Sequence, residues 1–254
     1  MTQTIIHKSE GAIAVLSIDR QDRKNALTCE MYDALTKHID DANENPDVRV
    51  ILLTGEGPDF SSGNDLDDFL ENPPQDMNSP VFRFINAVRL SPKPVVAAVE
   101  GLAVGIGTTI LLHCDLVYAA DNARFKMPFV DLGVTPEAGS SFILPANFGY
   151  QRAAELLLLC PIFDTKTAQE AGFVTKIVGE GEAYEAALKV AGVLATKAPL
   201  ALQKAKSLMK RSGDTLAERM AEEAWVFSEG LKGAEFAEAI DAFKNKRRPN
   251  FSKL

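Results

Sequence analysis

Few side chains here can do chemistry, and they are scattered. The three histidines (His7, His38, His113) and three cysteines (Cys29, Cys114, Cys160) include no Cys-x-x-Cys and no His or carboxylate pair at ligand spacing. Neither a zinc site nor a disulfide framework is encoded. Gly101-x-x-x-Gly105-x-Gly107 resembles a dinucleotide fingerprint but has Ile at position 110, where that motif needs its third glycine. No phosphate loop of the GxxxxGK[ST] type occurs, and Ser61 and Ser62 stand in no GxSxG elbow. His113 falls in an apolar run beside Cys114 and reads as a core residue. Glu137 follows Pro136, the pair that a helix start favours through the fixed proline φ and the macrodipole. The dipole would lower its pKa, whereas burial near Phe129 and Phe142 would raise it.

These residues must be held by the elements around them. Residues 12–19 alternate apolar and polar positions and predict a strand. Thr28 is set to cap a helix carrying Met31, Leu35, Ile39 and Ala42 on one face, stopped by Asn45-Pro46. Short β-branched runs at 48–53, 94–99 and 116–119 predict buried strands. Residues 55–63 read as a loop, 65–70 as a short helix, 72–80 as a proline-rich surface segment and 105–113 as a small-residue helix. After Tyr150 the pattern is mainly helical, at 152–159, 165–171, 182–196, 200–211, 215–229 and 234–246. Strands mixed with helices, then helices alone, predict an α/β core over 1–195 and a helical region over 196–254 within the same structural unit.

The 254 residues carry 27 Lys and Arg against 35 Asp and Glu, a net charge of −8. That balance opposes nucleic-acid binding, which needs excess cations for phosphate contacts. The most apolar stretch, 95–112, contains Glu100, Gly101, Gly105 and Gly107, and reads as buried strand, turn and helix rather than a membrane span. The N-terminus has no signal-peptide pattern. The chain ends Ser252-Lys253-Leu254, a peroxisomal address in a eukaryote and without meaning in a bacterium, where a cytoplasmic location is expected.

Three segments in order resemble the crotonase (enoyl-CoA hydratase/isomerase) superfamily. They are Phe60-Ser61-Ser62-Gly63-Asn64-Asp65-Leu66, the run from Lys93-Pro94 to Gly105-Ile106-Gly107, and Cys114-Asp115-Leu116-Val117-Tyr118-Ala119-Ala120 followed by Leu132-Gly133-Val134-Thr135-Pro136. Arg23-Lys24-Asn25-Ala26-Leu27 and the C-terminal run from Phe243 to Phe251 fit as well. The resemblance implies a spiral of ββα units with a C-terminal helical trimerisation region, assembled as a homotrimer or a dimer of trimers. It implies an acyl-CoA substrate, coenzyme A being part of that substrate, with no metal or separate cofactor. The thioester oxygen would be held by the backbone N–H groups of Asn64 and Ile106. Each such donor is typically worth about 10²–10³ in rate. Lys24, Ala26, Ser62, Gly63, Asp65, Leu66, Phe243 and Lys246 would bind CoA. Asp65 and Leu66 would shape its groove through their backbone, and Phe243 would lie near the adenine.

Hydratases of this superfamily carry two glutamates. Their positions here hold Thr109 and Phe129, the latter after Pro128, so the usual acid–base pair for adding water is missing. Pro136-Glu137-Ala138-Gly139-Ser140-Ser141 instead resembles the motif of peroxisomal-type Δ3,Δ2-enoyl-CoA isomerases, in which the glutamate after proline is the base. The resemblance therefore implies a β-oxidation isomerase that moves a double bond from C3 to C2 with Glu137 as proton shuttle. Two alternatives stand beside it: another reaction of the superfamily, such as hydration by Glu137, Asp131 or Asp115, and a non-catalytic acyl-CoA-binding or scaffold protein. Phe69, Phe82 and Phe84, around the proline-rich segment, either line the acyl end of the pocket or belong to the core.

Overall fold

The computed structural model describes residues 4–211, 213–252 and 254; Lys253 of the C-terminal tripeptide lies outside them. In chain order the first half gives β1 (Ile5–Glu10), β2 (Ile13–Ile18), α1 (Cys29–Glu44), β3 (Val50–Gly55), α2 (Leu66–Glu71), α3 (Pro80–Leu90), β4 (Val95–Val99), β5 (Leu102–Val104), α4 (Ile106–Thr109), β6 (Leu116–Ala120) and β7 (Arg124–Lys126). The second half gives α5 (Ser140–Phe148), α6 (Tyr150–Leu158), β8 (Phe163–Asp164), α7 (Thr165–Glu170), β9 (Lys176–Val178), α8 (Ala183–Ala195), α9 (Pro199–Lys210), α10 (Leu216–Gly230) and α11 (Ala234–Lys244).

A six-stranded sheet runs β1-β2-β3-β4-β6-β9 and a three-stranded sheet runs β5-β7-β8. In the large sheet β1 is antiparallel to β2 and every other pair is parallel. The polar–apolar alternation expected of residues 12–19 does not become a solvent face, because all six residues of β2 are buried. Ala14, Leu16 and Ile18 join one core with α1 and α3, while Ile13 and Val15 join a second with α8. The sheet is thus covered on both faces, as parallel sheets are. Ala183, Ala187 and Ala191 make a small-residue stripe on α8 that lies against the sheet.

Thr28 caps α1 as expected, its side chain accepting from the Met31 N–H. Two expectations need correction, and one alternative is decided. Residues 105–113 form the four-residue α4 and then a 3-10 turn, Ile110–His113, rather than one helix. The proline-rich segment ends in α3, where Pro80 occupies the first helical turn. Phe84 of α3 is buried and packs its ring 5.6 Å from that of Tyr32, so it belongs to the core. No helix of the described residues is long and apolar enough to cross a membrane.

Candidate active site

Two backbone segments meet beside β5. The Ser61 N–H donates to the Leu102 carbonyl at 2.9 Å, and the Val104 N–H donates to the Ser61 carbonyl at 2.9 Å. The contact is backbone on backbone, and two glycines make it possible. A Cβ on Gly63, which sits at φ +92, would lie 2.6 Å from the Val104 oxygen. A Cβ on Gly107 would lie 2.6 Å from the Ser61 oxygen. Just beyond these contacts come Asn64 and Ile106, and neither backbone N–H donates to an acceptor among the described residues. Unsatisfied N–H groups next to a close backbone approach are the parts of an oxyanion site.

A buried polar network shapes the first of these segments. Asn25, at φ +57, donates through Nδ2 to the Glu56 and Asp59 carbonyls at 2.9 and 2.7 Å. The Asn25 carbonyl accepts from Ser61 Oγ at 2.8 Å, and that hydroxyl accepts from the Gly63 N–H at 3.1 Å. Asp65 caps α2 through the Asp67 and Asp68 N–H groups and pairs with Arg20 at 2.6 Å. The Asp68 N–H and then the Arg20 guanidinium hold the Asp65 carboxyl below the usual range. Its side chain is therefore engaged in structure.

Glu137 does not begin a helix. It lies in the loop before α5, whose N-cap is Gly139, because Ala138 and Gly139 are both left-handed, at φ +51 and +69. Its pKa is pushed up to about 7 by desolvation, with the Thr109 hydrogen bond pulling the other way. Oε1 meets the Thr109 hydroxyl, and Oε2 is buried without a partner among the described residues. Thr109 sits one turn after Ile106 in α4, so the hydroxyl that meets the base candidate and one donor share an element. Phe129 is a core residue, only 7% exposed.

Three more residues converge here that the sequence reading did not single out for the site. Tyr32, on the buried face of α1, donates from its hydroxyl to Asn64 Oδ1 at 2.5 Å. Its own pKa is raised by burial and then by the nearby Glu137 charge. Arg20 donates to Asp65 and to the Ala26 carbonyl. His113 reaches the Ala138 carbonyl at 2.7 Å. Tyr32 carried a faint signal, as the one hydroxyl within an otherwise apolar helical stripe.

Of the expected CoA contacts, Lys24 accepts from the Ser62 N–H through its carbonyl, and its side chain is exposed. Ala26 is buried and Leu66 exposed. Lys24, Ala26, Ser62, Gly63 and Asp65 are thus brought together on two joined loops, with Leu66 following as the first residue of α2. Phe243 and Lys246 are exposed at the end of α11, and no hydrogen bond or ion pair among the described residues joins them to those loops. Asp131 pairs with Lys126 at 2.8 Å and Asp115 with Lys206 at 2.6 Å, so both alternative bases are engaged elsewhere.

A family model described as enoyl-CoA hydratase/isomerase matches residues 8–253. The chain is 37% identical over 182 residues to enoyl-CoA delta isomerase 2 of Rattus norvegicus, covering 69% of this chain and 46% of that one. It is 30% identical over 253 residues to 2,3-dehydroadipyl-CoA hydratase of Escherichia coli K12, covering 99% of each. A solved structure from Magnetospirillum magneticum AMB-1, labelled an enoyl-CoA hydratase/carnithine racemase, is 45% identical with a TM-score of 0.96 over 100% of both chains.

Proposed function

The chain belongs to the enoyl-CoA hydratase/isomerase family and has its crotonase fold, and from that premise we propose that it is a Δ3,Δ2-enoyl-CoA isomerase with Glu137 as its single acid–base group. The observation that carries this reading is the pairing of Glu137 with Thr109, together with Phe129 in the core. At the two hydratase glutamate positions stand a threonine and a buried phenylalanine, and the threonine hydroxyl can only support Glu137. Hydration needs one group to take a proton from water and another to protonate carbon, whereas moving a double bond needs one group that does both in turn.

The substrate thioester oxygen accepts from the Asn64 and Ile106 N–H groups, which stabilise negative charge as it forms. Ionised Glu137 takes a proton from C2. The electron pair left behind forms the C1–C2 double bond of a dienolate, with charge on the thioester oxygen. As the dienolate collapses, a double bond forms between C2 and C3, the C3–C4 double bond opens, and C4 takes the proton back from Glu137. A pKa near 7 suits this cycle, because the group must be base and acid in succession. Lys24 and the loop 62–66 bind CoA, joined by Phe243 and Lys246 of the C-terminal region. The exposed apolar residues Met209, Met220, Trp225 and Phe227 of α9 and α10 support assembly into trimers.

Mixing the protein with a trans-3-enoyl-CoA and following conjugated-enoyl absorbance tests the proposal. Wild type generates conjugation, and Glu137→Gln loses about 10²–10⁴ of the rate. A trans-2-enoyl-CoA run in parallel keeps its absorbance. Loss of that absorbance through water addition, or an unaffected variant, refutes the assignment.

A further inference from the structure

His113 is a titratable side chain that the mechanism above leaves unused. Its ring is buried, in the 3-10 turn that follows α4. A buried imidazole is unfavourable in an apolar setting unless its polar atoms are engaged. The engagement here is specific: Nε2 lies 2.7 Å from the carbonyl oxygen of Ala138, the residue next to Glu137. Ala138 is left-handed at φ +51, a conformation that a residue with a Cβ keeps only under constraint. The same turn is closed on its other side by Ser140, whose N–H and hydroxyl both donate to the Glu137 carbonyl, at 3.0 and 2.7 Å. His113 is itself tied down, since its carbonyl accepts from Lys210 Nζ of α9 at 2.9 Å.

We infer that His113 is a positioning residue for the base, donating Nε2–H to the Ala138 carbonyl and so fixing the turn that aims the Glu137 carboxyl. The inference rests on Glu137 being the base. It requires the neutral ring to carry its proton on Nε2, and burial lowers the His113 pKa, which favours the neutral ring.

Two measurements test it. In ¹⁵N-histidine NMR of the intact protein at neutral pH, His113 shows the Nε2–H tautomer; an Nδ1–H tautomer leaves nothing to donate and overturns the inference. In the isomerisation assay, His113→Met, which keeps bulk and removes the donor, lowers kcat by about 10–100-fold, the scale of a displaced catalytic group, with KM within about twofold because the CoA contacts are untouched. His113→Gln restores a donor and most of the rate. No loss in the Met variant, or equal loss in a folded Gln variant, overturns the positioning role while the isomerase assignment stands. Should wild type fail to isomerise, exchange of C2 protons of an acyl-CoA into D2O, read by mass spectrometry, replaces the assay. Exchange that depends on His113 in the same pattern keeps the inference and sinks only the Δ3,Δ2 assignment. No exchange in wild type removes the base and the inference together.

Discussion

Thr109→Val isolates what the hydroxyl does for Glu137. Valine keeps the branched shape and removes the only hydrogen bond the carboxyl makes among the described residues. Thr109 Oγ1 also lies 3.3 Å from the Gly105 carbonyl, so both protonation states of Glu137 are served. When the carboxyl is ionised, the hydroxyl donates to Oε1. When it is protonated, the carboxyl donates to Oγ1 and the hydroxyl turns to Gly105. A bond to the charged form is worth about 1.5–3 kcal/mol and a neutral one about 0.5–1.5 kcal/mol. Their difference, about 1–1.5 kcal/mol, is about one pKa unit at 1.36 kcal/mol per unit. Valine should therefore move Glu137 from about 7 to about 8.

The ionised fraction at pH 7 then falls from about one half to about one tenth, and kcat for a trans-3-enoyl-CoA falls about fivefold. At pH 9 the variant recovers most of the wild-type rate, because both carboxyls are ionised there. The assay is the pH dependence of kcat from pH 5.5 to 9.5, where the rising limb should shift upward by about one unit. An unmoved limb, or one shifted downward, refutes the argument. So does a uniform loss at every pH, which would make Thr109 an orienting residue and not a tuning one.

Glu137→Gln should stabilise the fold at high pH. The folded pKa of about 7 lies above the ordinary 4.5, so between those values the folded state binds more protons than the unfolded state and stability falls as pH rises. The full loss is about 3 kcal/mol above pH 7. Melting curves should therefore show the variant ahead of wild type at pH 8 and level with it near pH 4; a constant gap defeats the linkage. Tyr32→Phe removes the bond to Asn64 Oδ1 and should lower kcat about tenfold, short of the ~10²–10³ for losing a donor outright. KM should hold steady, and a change in KM alone would move Tyr32 from the donor to substrate binding. Gly107→Ala puts a methyl 2.6 Å from the Ser61 oxygen. It should destabilise by about 1–3 kcal/mol, as overpacking does, and drop kcat/KM far more than that loss of stability alone explains. A variant with unchanged kinetics would show that the two segments need not touch.

How far the molecule was legible depended on whether the signal was local. The Thr28 cap and the Met31, Leu35, Ile39, Ala42 stripe are local, and α1 follows them. So do the buried strands β3, β4 and β6. By contrast β1 left little trace, because only Ile5 among its six residues is buried and its order comes from pairing with β2. The three-residue strands β5, β7 and β9 are likewise products of their partners. α3 was hidden by the prolines before it, although one of them starts the helix.

The site divides in the same way. Asn64, Ile106 and Glu137 could be placed by their position in a family pattern, but the local sequence of Glu137 argued for something else. Pro136-Glu137 is what a helix start looks like, and a helix start would have lowered the carboxyl pKa. What cancels that reading is the next two residues. Ala138 and Gly139 both take left-handed backbone, so the helix begins only at Ser140 and Glu137 is left in a half-buried loop with its carboxyl turned inward. Glycine at 139 hints at such a turn; alanine at 138 does not, and its carbonyl meets His113, twenty-five residues back. The property that the proposed mechanism asks of Glu137, a carboxyl able to exist in both forms at neutral pH, thus comes from burial by segments that no window of sequence around it contains.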